Sequence, residues 1–124
     1  MALQNINPTQ TQAWKNLENH FESMKNNGIK EMFLKDSNRA EQFHIQWNDF
    51  LVDFSKNNIT SETMRLLVDL ANEAQLKDAI SKYFEGDIIN QTENRAVLHT
   101  ALREPESANI KVDGINVMPE IFEV

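Results

Sequence analysis

The chain has 124 residues, 40% hydrophobic and 25% charged, a balance that suits one soluble globular domain. Its formal net charge of −7 argues against general affinity for nucleic acid or anionic membranes, both of which need clustered Lys and Arg. Cysteine is absent, which excludes disulfides and thiolate zinc sites, no apolar run is long enough to cross a bilayer, and the opening MALQNINPTQ lacks a signal-peptide pattern, so the expected location is the cytoplasm. A small anionic substrate is still allowed, because a pocket can be locally positive on an acidic protein.

Asn7-Pro8 opens a first helix, with Asn7 or Thr9 as its cap and Pro8 at an early helical position. Ala13, Trp14, Leu17, Phe21 and Met24 form one apolar stripe along it. Asn26-Asn27-Gly28 stops the helix, with Gly28 suited to a left-handed C-terminal conformation. A short second helix carries Ile29, Met32 and Phe33, and Asp36-Ser37 restarts a turn or helix through Arg39-Ala40.

The period changes to two at Phe43. Phe43, Ile45 and Trp47 alternate with polar residues, Asn48-Asp49 signals a turn, and Phe50, Val52 and Phe54 alternate again with Leu51 on the other face. This predicts an antiparallel hairpin, which is marginal without a partner. Trp14 and Trp47 each lie on an apolar stripe and are expected to be core rather than stacking platforms. Thr60 or Ser61 caps a helix bearing Met64, Leu67, Val68 and Ala71, and residues 75–84 continue as a second helical piece ended by Gly86. Residues 92–103 read as one further helix. Thr92 is its cap, Glu93 and Arg103 suit the two ends of its dipole, and Arg95, His99 and Arg103 are spaced by four along one face.

The Asp113-Gly114 pair between Ile110-Lys111-Val112 and Ile115-Asn116-Val117 predicts a second hairpin with a type I′ turn. Pro119-Glu120-Ile121-Phe122 reads as the start of a helix, and the pattern is still apolar at Val124. The expectation is that Val124 is a truncation point within a longer protein. Trp47, Phe50, Val52 and the 110–117 hairpin would then lack native partners and show uncovered apolar faces or edges.

Few residues suggest chemistry. His20, His44 and His99 have no second histidine at zinc-ligand spacing. His20 reads as an edge residue of the first helix and His44 as the polar side of a strand. The Arg95/His99/Arg103 face could bind an anion through bidentate guanidinium donors, or simply pair with Glu93, Glu104 or Glu106. Asp69 with Glu73 and Glu18 with Glu22 are four-residue pairs of the kind found on solvated helix faces. The Asn58-Ile59-Thr60 and Asn90-Gln91-Thr92 triplets read as turns or caps. No phosphate-binding glycine loop, nucleophile elbow or HExxH helix is present.

Four segments, in order, resemble the N-terminal portion of the glucose-6-phosphate isomerase (phosphoglucose isomerase) family. They are Ile6-Asn7-Pro8-Thr9 with Ala13-Trp14, then Leu51-Val52-Asp53-Phe54-Ser55-Lys56-Asn57, then TENRAVLHTALR at 92–103, and finally Asp113-Gly114 with Asn116-Val117 and Pro119-Glu120. Phe54 stands where Tyr is common, and the tip at Asn57-Asn58-Ile59 is variable.

The resemblance implies an α/β parent fold, a sugar-isomerase-type αβα sandwich, of which residues 1–124 are a mostly α-helical N-terminal portion with two short β-hairpins. It implies an aldose-ketose isomerase that interconverts glucose 6-phosphate and fructose 6-phosphate in glycolysis and gluconeogenesis. The reaction would proceed by ring opening and proton transfer between C1 and C2 through a cis-enediol. A glutamate base, an arginine, a histidine, a lysine and Ser/Thr-rich phosphate loops would serve it, all beyond the matched segments. The implied partners are a sugar phosphate and a second subunit in a homodimer, without nucleic acid, membrane, metal or organic cofactor. No catalytic, cofactor or metal residue carries over to this chain. Residues 92–103, 51–57 and the Asp113-Gly114 turn carry over only as scaffold, so the isolated chain is expected to be inactive. The alternative reading is a complete non-catalytic helical binding module that presents Arg95, His99 and Arg103 to an acidic or anionic partner.

Overall fold

Helix α1 spans Gln12–Met24 and begins at Thr11, not at Asn7 or Thr9. Pro8 first takes the chain through a 3-10 turn, Pro8–Gln10, because its fixed φ suits a tight turn. Thr11 then caps the helix: its hydroxyl accepts the Trp14 N–H at 3.1 Å and donates to the Pro8 carbonyl at 2.6 Å. These elements come from a computed structural model that describes residues 3–123. Val124, the expected truncation point, lies outside the described residues.

Gly28 does not end α1 in a left-handed conformation. Lys25 closes that helix in the right-handed region, and Gly28 is extended and precedes α2, Ile29–Lys35. A short α3, Arg39–Gln42, leads into strand β1, His44–Trp47, which pairs antiparallel with β2, Phe50–Asp53. Asn48 takes a left-handed φ of 49° in the turn between them, a conformation that asparagine tolerates. Helix α4, Ser61–Glu73, starts with a reciprocal cap. The Thr63 N–H donates to the Thr60 hydroxyl at 3.2 Å, and the Thr60 N–H donates to the Thr63 hydroxyl at 2.9 Å. Helix α5, Leu76–Glu85, is closed by Gly86 at φ +82°. A Cβ there would lie 2.9 Å from the Lys111 carbonyl oxygen, so both conformation and space demand glycine.

Residues 92–103 do not form the expected helix. Asn90 and Arg95 exchange two backbone hydrogen bonds of 3.1 and 3.2 Å across a tight loop. The Asn90 side chain accepts the Glu93 N–H at 3.2 Å, and Asn94 sits at φ +51°. These local bonds give the backbone an alternative to the helical ladder, and only a 3-10 turn, Ala101–Arg103, remains. Next come β3, Lys111–Val112, and β4, Ile115–Asn116, joined through Asp113 at φ 52° and Gly114 at φ 81°, as a type I′ turn requires. Helix α6, Met118–Phe122, has Pro119 in its first turn, and Asn116 Oδ1 accepts the Met118 N–H.

The chain folds as two compact units, one of Pro8–Leu70 and one that joins the residues before Pro8 to those from Ala71 onward, so that one boundary falls within α4. In the unit that includes Ala71 onward, Ala101, Ile110 and Met118 form a buried cluster with Leu98, Ala108, Val117 and Ile121 around it. The second hairpin is therefore partly buried, with Ile115 its exposed apolar residue, where more exposure was expected. In the Pro8–Leu70 unit Ala13, Met24, Met32, Phe43 and Leu66 are buried. Leu66, rather than the expected Met64, Leu67 and Val68 stripe, is the most buried position of α4. Phe21 on α1 is exposed. So is Trp47, which stacks on Phe50 instead of joining a core.

The main polar bond of the Pro8–Leu70 unit is made by Arg39, which is 3% exposed. Its Nε–H donates to the Ser55 carbonyl at 2.7 Å and a terminal N–H to the Asn57 carbonyl at 2.8 Å. The guanidinium carbon lies 4.6 Å from the Phe43 ring centroid and 5.7 Å from that of Phe33. The residue thus ties α3 to the segment between β2 and α4. An Arg39→Met substitution keeps much of the volume but strands two carbonyls. It should lower the unfolding free energy by about 2–4 kcal/mol, read from denaturant melts of the complete protein.

Candidate functional site

The trio singled out by spacing is not assembled. Arg95 and His99 line one open cleft of about 670 Å³ with Asn90, Val97, Leu98 and Leu102, whereas Arg103 does not line it. All three basic residues are exposed, because the loop at Asn90–Arg95 replaces the helix that would have aligned them. The Arg95 guanidinium is paired with the neighbouring Glu93 carboxylate. The cleft therefore has a largely apolar wall with one cation already neutralised, which is poor chemistry for holding a phosphate.

The histidines act as links. His20 Nε2 lies 2.7 Å from the Thr63 hydroxyl, joining α1 to the first turn of α4. His44 Nδ1 lies 3.0 Å from the Ala40 carbonyl oxygen. The acidic pairs are surface features too. Asp69 takes an Arg65 N–H at 2.7 Å, and Glu22 pairs with Lys25 at 2.5 Å. Arg65 also bonds Glu62, which holds the Glu62 carboxyl below its ordinary range and raises the guanidinium. Among the described residues no group of three or more His, Asp or Glu is placed to hold a metal ion, and no helix is long and apolar enough to cross a membrane.

A second cleft, about 680 Å³, is lined by Trp14, Leu17, His20, Phe21, Met24 and Thr63. It is mainly apolar, with Glu18, Asn19, Glu22 and Asn58 also on its wall, and its His20 and Thr63 side chains are engaged in the His20–Thr63–Thr60 bonds. The most organised polar constellation is instead the turn after β2. There the Asp53 carboxylate accepts the Ser55 N–H at 2.8 Å, Ser55 is buried, and Arg39 holds the Ser55 and Asn57 carbonyls. The sequence placed Arg39 only in a turn or helix, without a partner. Its signal lay in the flanking aromatics Phe33 and Phe43, the latter one helical turn on.

A sequence model of the phosphoglucose isomerase family matches residues 53–124, more than half of the chain. The chain belongs to the phosphoglucose isomerase family. It is similar to the glucose-6-phosphate isomerase of Christiangramia forsetii, 58% identical over 122 residues, covering 98% of this chain and 22% of that relative. It is also similar to the glucose-6-phosphate isomerase of Wigglesworthia glossinidia brevipalpis, 50% identical over 123 residues, again covering 98% of this chain and 22% of the relative. The chain therefore spans about a fifth of the length of the curated relatives it matches. The phosphoglucose isomerase match opens at Asp53, the carboxylate that caps the Arg39-held turn. The family resemblance read from the four segments is upheld, while the secondary structure expected for 92–103 is not.

Asp53 gives this turn a pH signature. Hydrogen bonds from the Ser55 side chain, then from its backbone, hold the Asp53 carboxyl below its ordinary value of 3.8. A carboxyl lowered on folding stabilises the fold above its unfolded value, and that contribution fades as pH falls through the lower folded value. The stability difference between the parent protein and Asp53→Asn should thus be full near neutral pH and shrink as pH drops below 3.8, read from denaturant midpoints across that range.

Proposed function

We propose that this chain is the N-terminal portion of a glucose-6-phosphate isomerase, an aldose-ketose isomerase that interconverts glucose 6-phosphate and fructose 6-phosphate in glycolysis and gluconeogenesis. The observation that carries this reading is the 58% identity to a glucose-6-phosphate isomerase over 98% of the chain. In this reading the complete protein is a cytoplasmic homodimer with a sugar-isomerase-type αβα sandwich, and it uses no metal or organic cofactor. The substrate ring opens, a base takes the C2 proton, and the proton returns at C1 through a cis-enediol. The base, its partners and the phosphate loops lie in the remaining polypeptide. The role of residues 1–124 is to supply packing surface and rigid turns.

The binding-module alternative rested on three basic side chains sharing a helix face. That support is lost once Arg95, His99 and Arg103 are spread over a loop and a 3-10 turn. The isomerase reading makes a two-part prediction. The complete polypeptide should convert fructose 6-phosphate to glucose 6-phosphate in a dehydrogenase-coupled assay, and the 124-residue chain should give no rate above background. An inactive complete protein, or an active isolated chain, would overturn it.

A further inference from the structure

One face of the first hairpin is apolar, continuous and uncovered. The register sets Ile45 opposite Val52 and Trp47 opposite Phe50, and directly opposed residues share a face. These four side chains are 60%, 57%, 67% and 65% exposed in the same order. The two rings stack, with centroids 5.8 Å apart and 21° between their planes. The opposite face carries His44, Gln46, Leu51 and Asp53, the ordinary make-up of a solvated surface. At its root the hairpin is fixed, since the Phe54 N–H donates to the Phe43 carbonyl at 2.9 Å and Arg39 holds the following turn. A rigid root and a bare aromatic–aliphatic tip are features of an element that packs against something.

The size and chemistry of the patch choose the occupant. The face has no charged side chain, so its complement is apolar. Four side chains at these exposures offer roughly 500 Å², short of the ~800 Å² per partner that a stable dimer interface needs. An intramolecular contact has no such threshold, and roughly four fifths of the relatives' length lies outside this chain. We propose that the Ile45, Trp47, Phe50 and Val52 face is the docking surface for an apolar surface of the remaining polypeptide of the same isomerase molecule. This rests on the function proposed above. The docking surface anchors the Pro8–Leu70 unit by one side of a hairpin whose other side stays in water.

The test uses the complete protein. Hydroxyl-radical footprinting of the parent should oxidise Trp47 roughly tenfold more slowly than in the unfolded protein, as burial of a large ring requires. Trp47→Ser and Phe50→Ser should each lower the Tm by several degrees, while Leu51→Ser, equally exposed here but on the other face, should leave it nearly unchanged. Oxidation of Trp47 at the unfolded rate, or equal melting of all three variants, would overturn the proposal. Protection that vanishes on dilution to monomer would assign the face to a second copy and overturn it as well. If the variants fail to fold, footprinting of the parent still decides. Isomerase activity of the parent is read separately, so an inactive protein with Trp47 protected would refute the functional assignment and leave the docking surface standing.

Discussion

The buried guanidinium of Arg39 is the constraint on which the Pro8–Leu70 unit depends. A cation taken out of water needs compensation, and here it comes from two backbone carbonyls and two aromatic faces. The carbonyls belong to Ser55 and Asn57, so one side chain fixes the exit of β2 and the approach to α4. Arginine suits this position because its planar fork serves two acceptors at once while its faces stack on rings. With that turn held, the Asp53 carboxylate and the Thr60–Thr63 cap complete a run of satisfied polar groups from β2 into α4. No buried side-chain nitrogen or oxygen is without a hydrogen bond among the described residues.

What was legible in the sequence were the features set by neighbours in the chain. Asp113-Gly114 announced its hairpin because both residues tolerate the positive φ that the turn imposes. The period-two runs around Asn48-Asp49 and the Gly86 stop were legible for the same reason. The 92–103 segment was misread because a four-residue spacing cannot show that Asn90 will bond the Glu93 N–H and close a loop onto Arg95. Arg39 was hidden for the opposite reason: its acceptors lie 16 and 18 residues away, where local periodicity carries no information. Two expectations met at Trp47: its place on an apolar stripe pointed to a core position, and the missing partners of a truncated chain pointed to an uncovered face; its exposure, with that of Phe50 and Val52, agrees with the second and not the first.

The family was legible through segments, not through chemistry. In the structure the four family-like segments fall on a 3-10 turn and the start of α1, on β2 and the turn after it, on the Asn90–Arg95 loop and the following 3-10 turn, and on the second hairpin with the start of α6. Asp53 to Asn57 is the clearest case: a resemblance carried by residues whose work is to bond their own backbone and receive Arg39. The exposed apolar faces on α5, at Leu76, Ile80 and Phe84, and on the first hairpin fit a piece that makes surface for a larger body.

The clamp can be observed directly by following the guanidinium N–H signals in nitrogen-15 NMR of the protein. The Arg39 Nε–H should give a resolved signal that exchanges slowly with water at neutral pH and couples to the Ser55 carbonyl, while those of Arg65, Arg95 and Arg103 exchange fast. Exchange of the Arg39 signal as rapid as that of the other three would contradict the account.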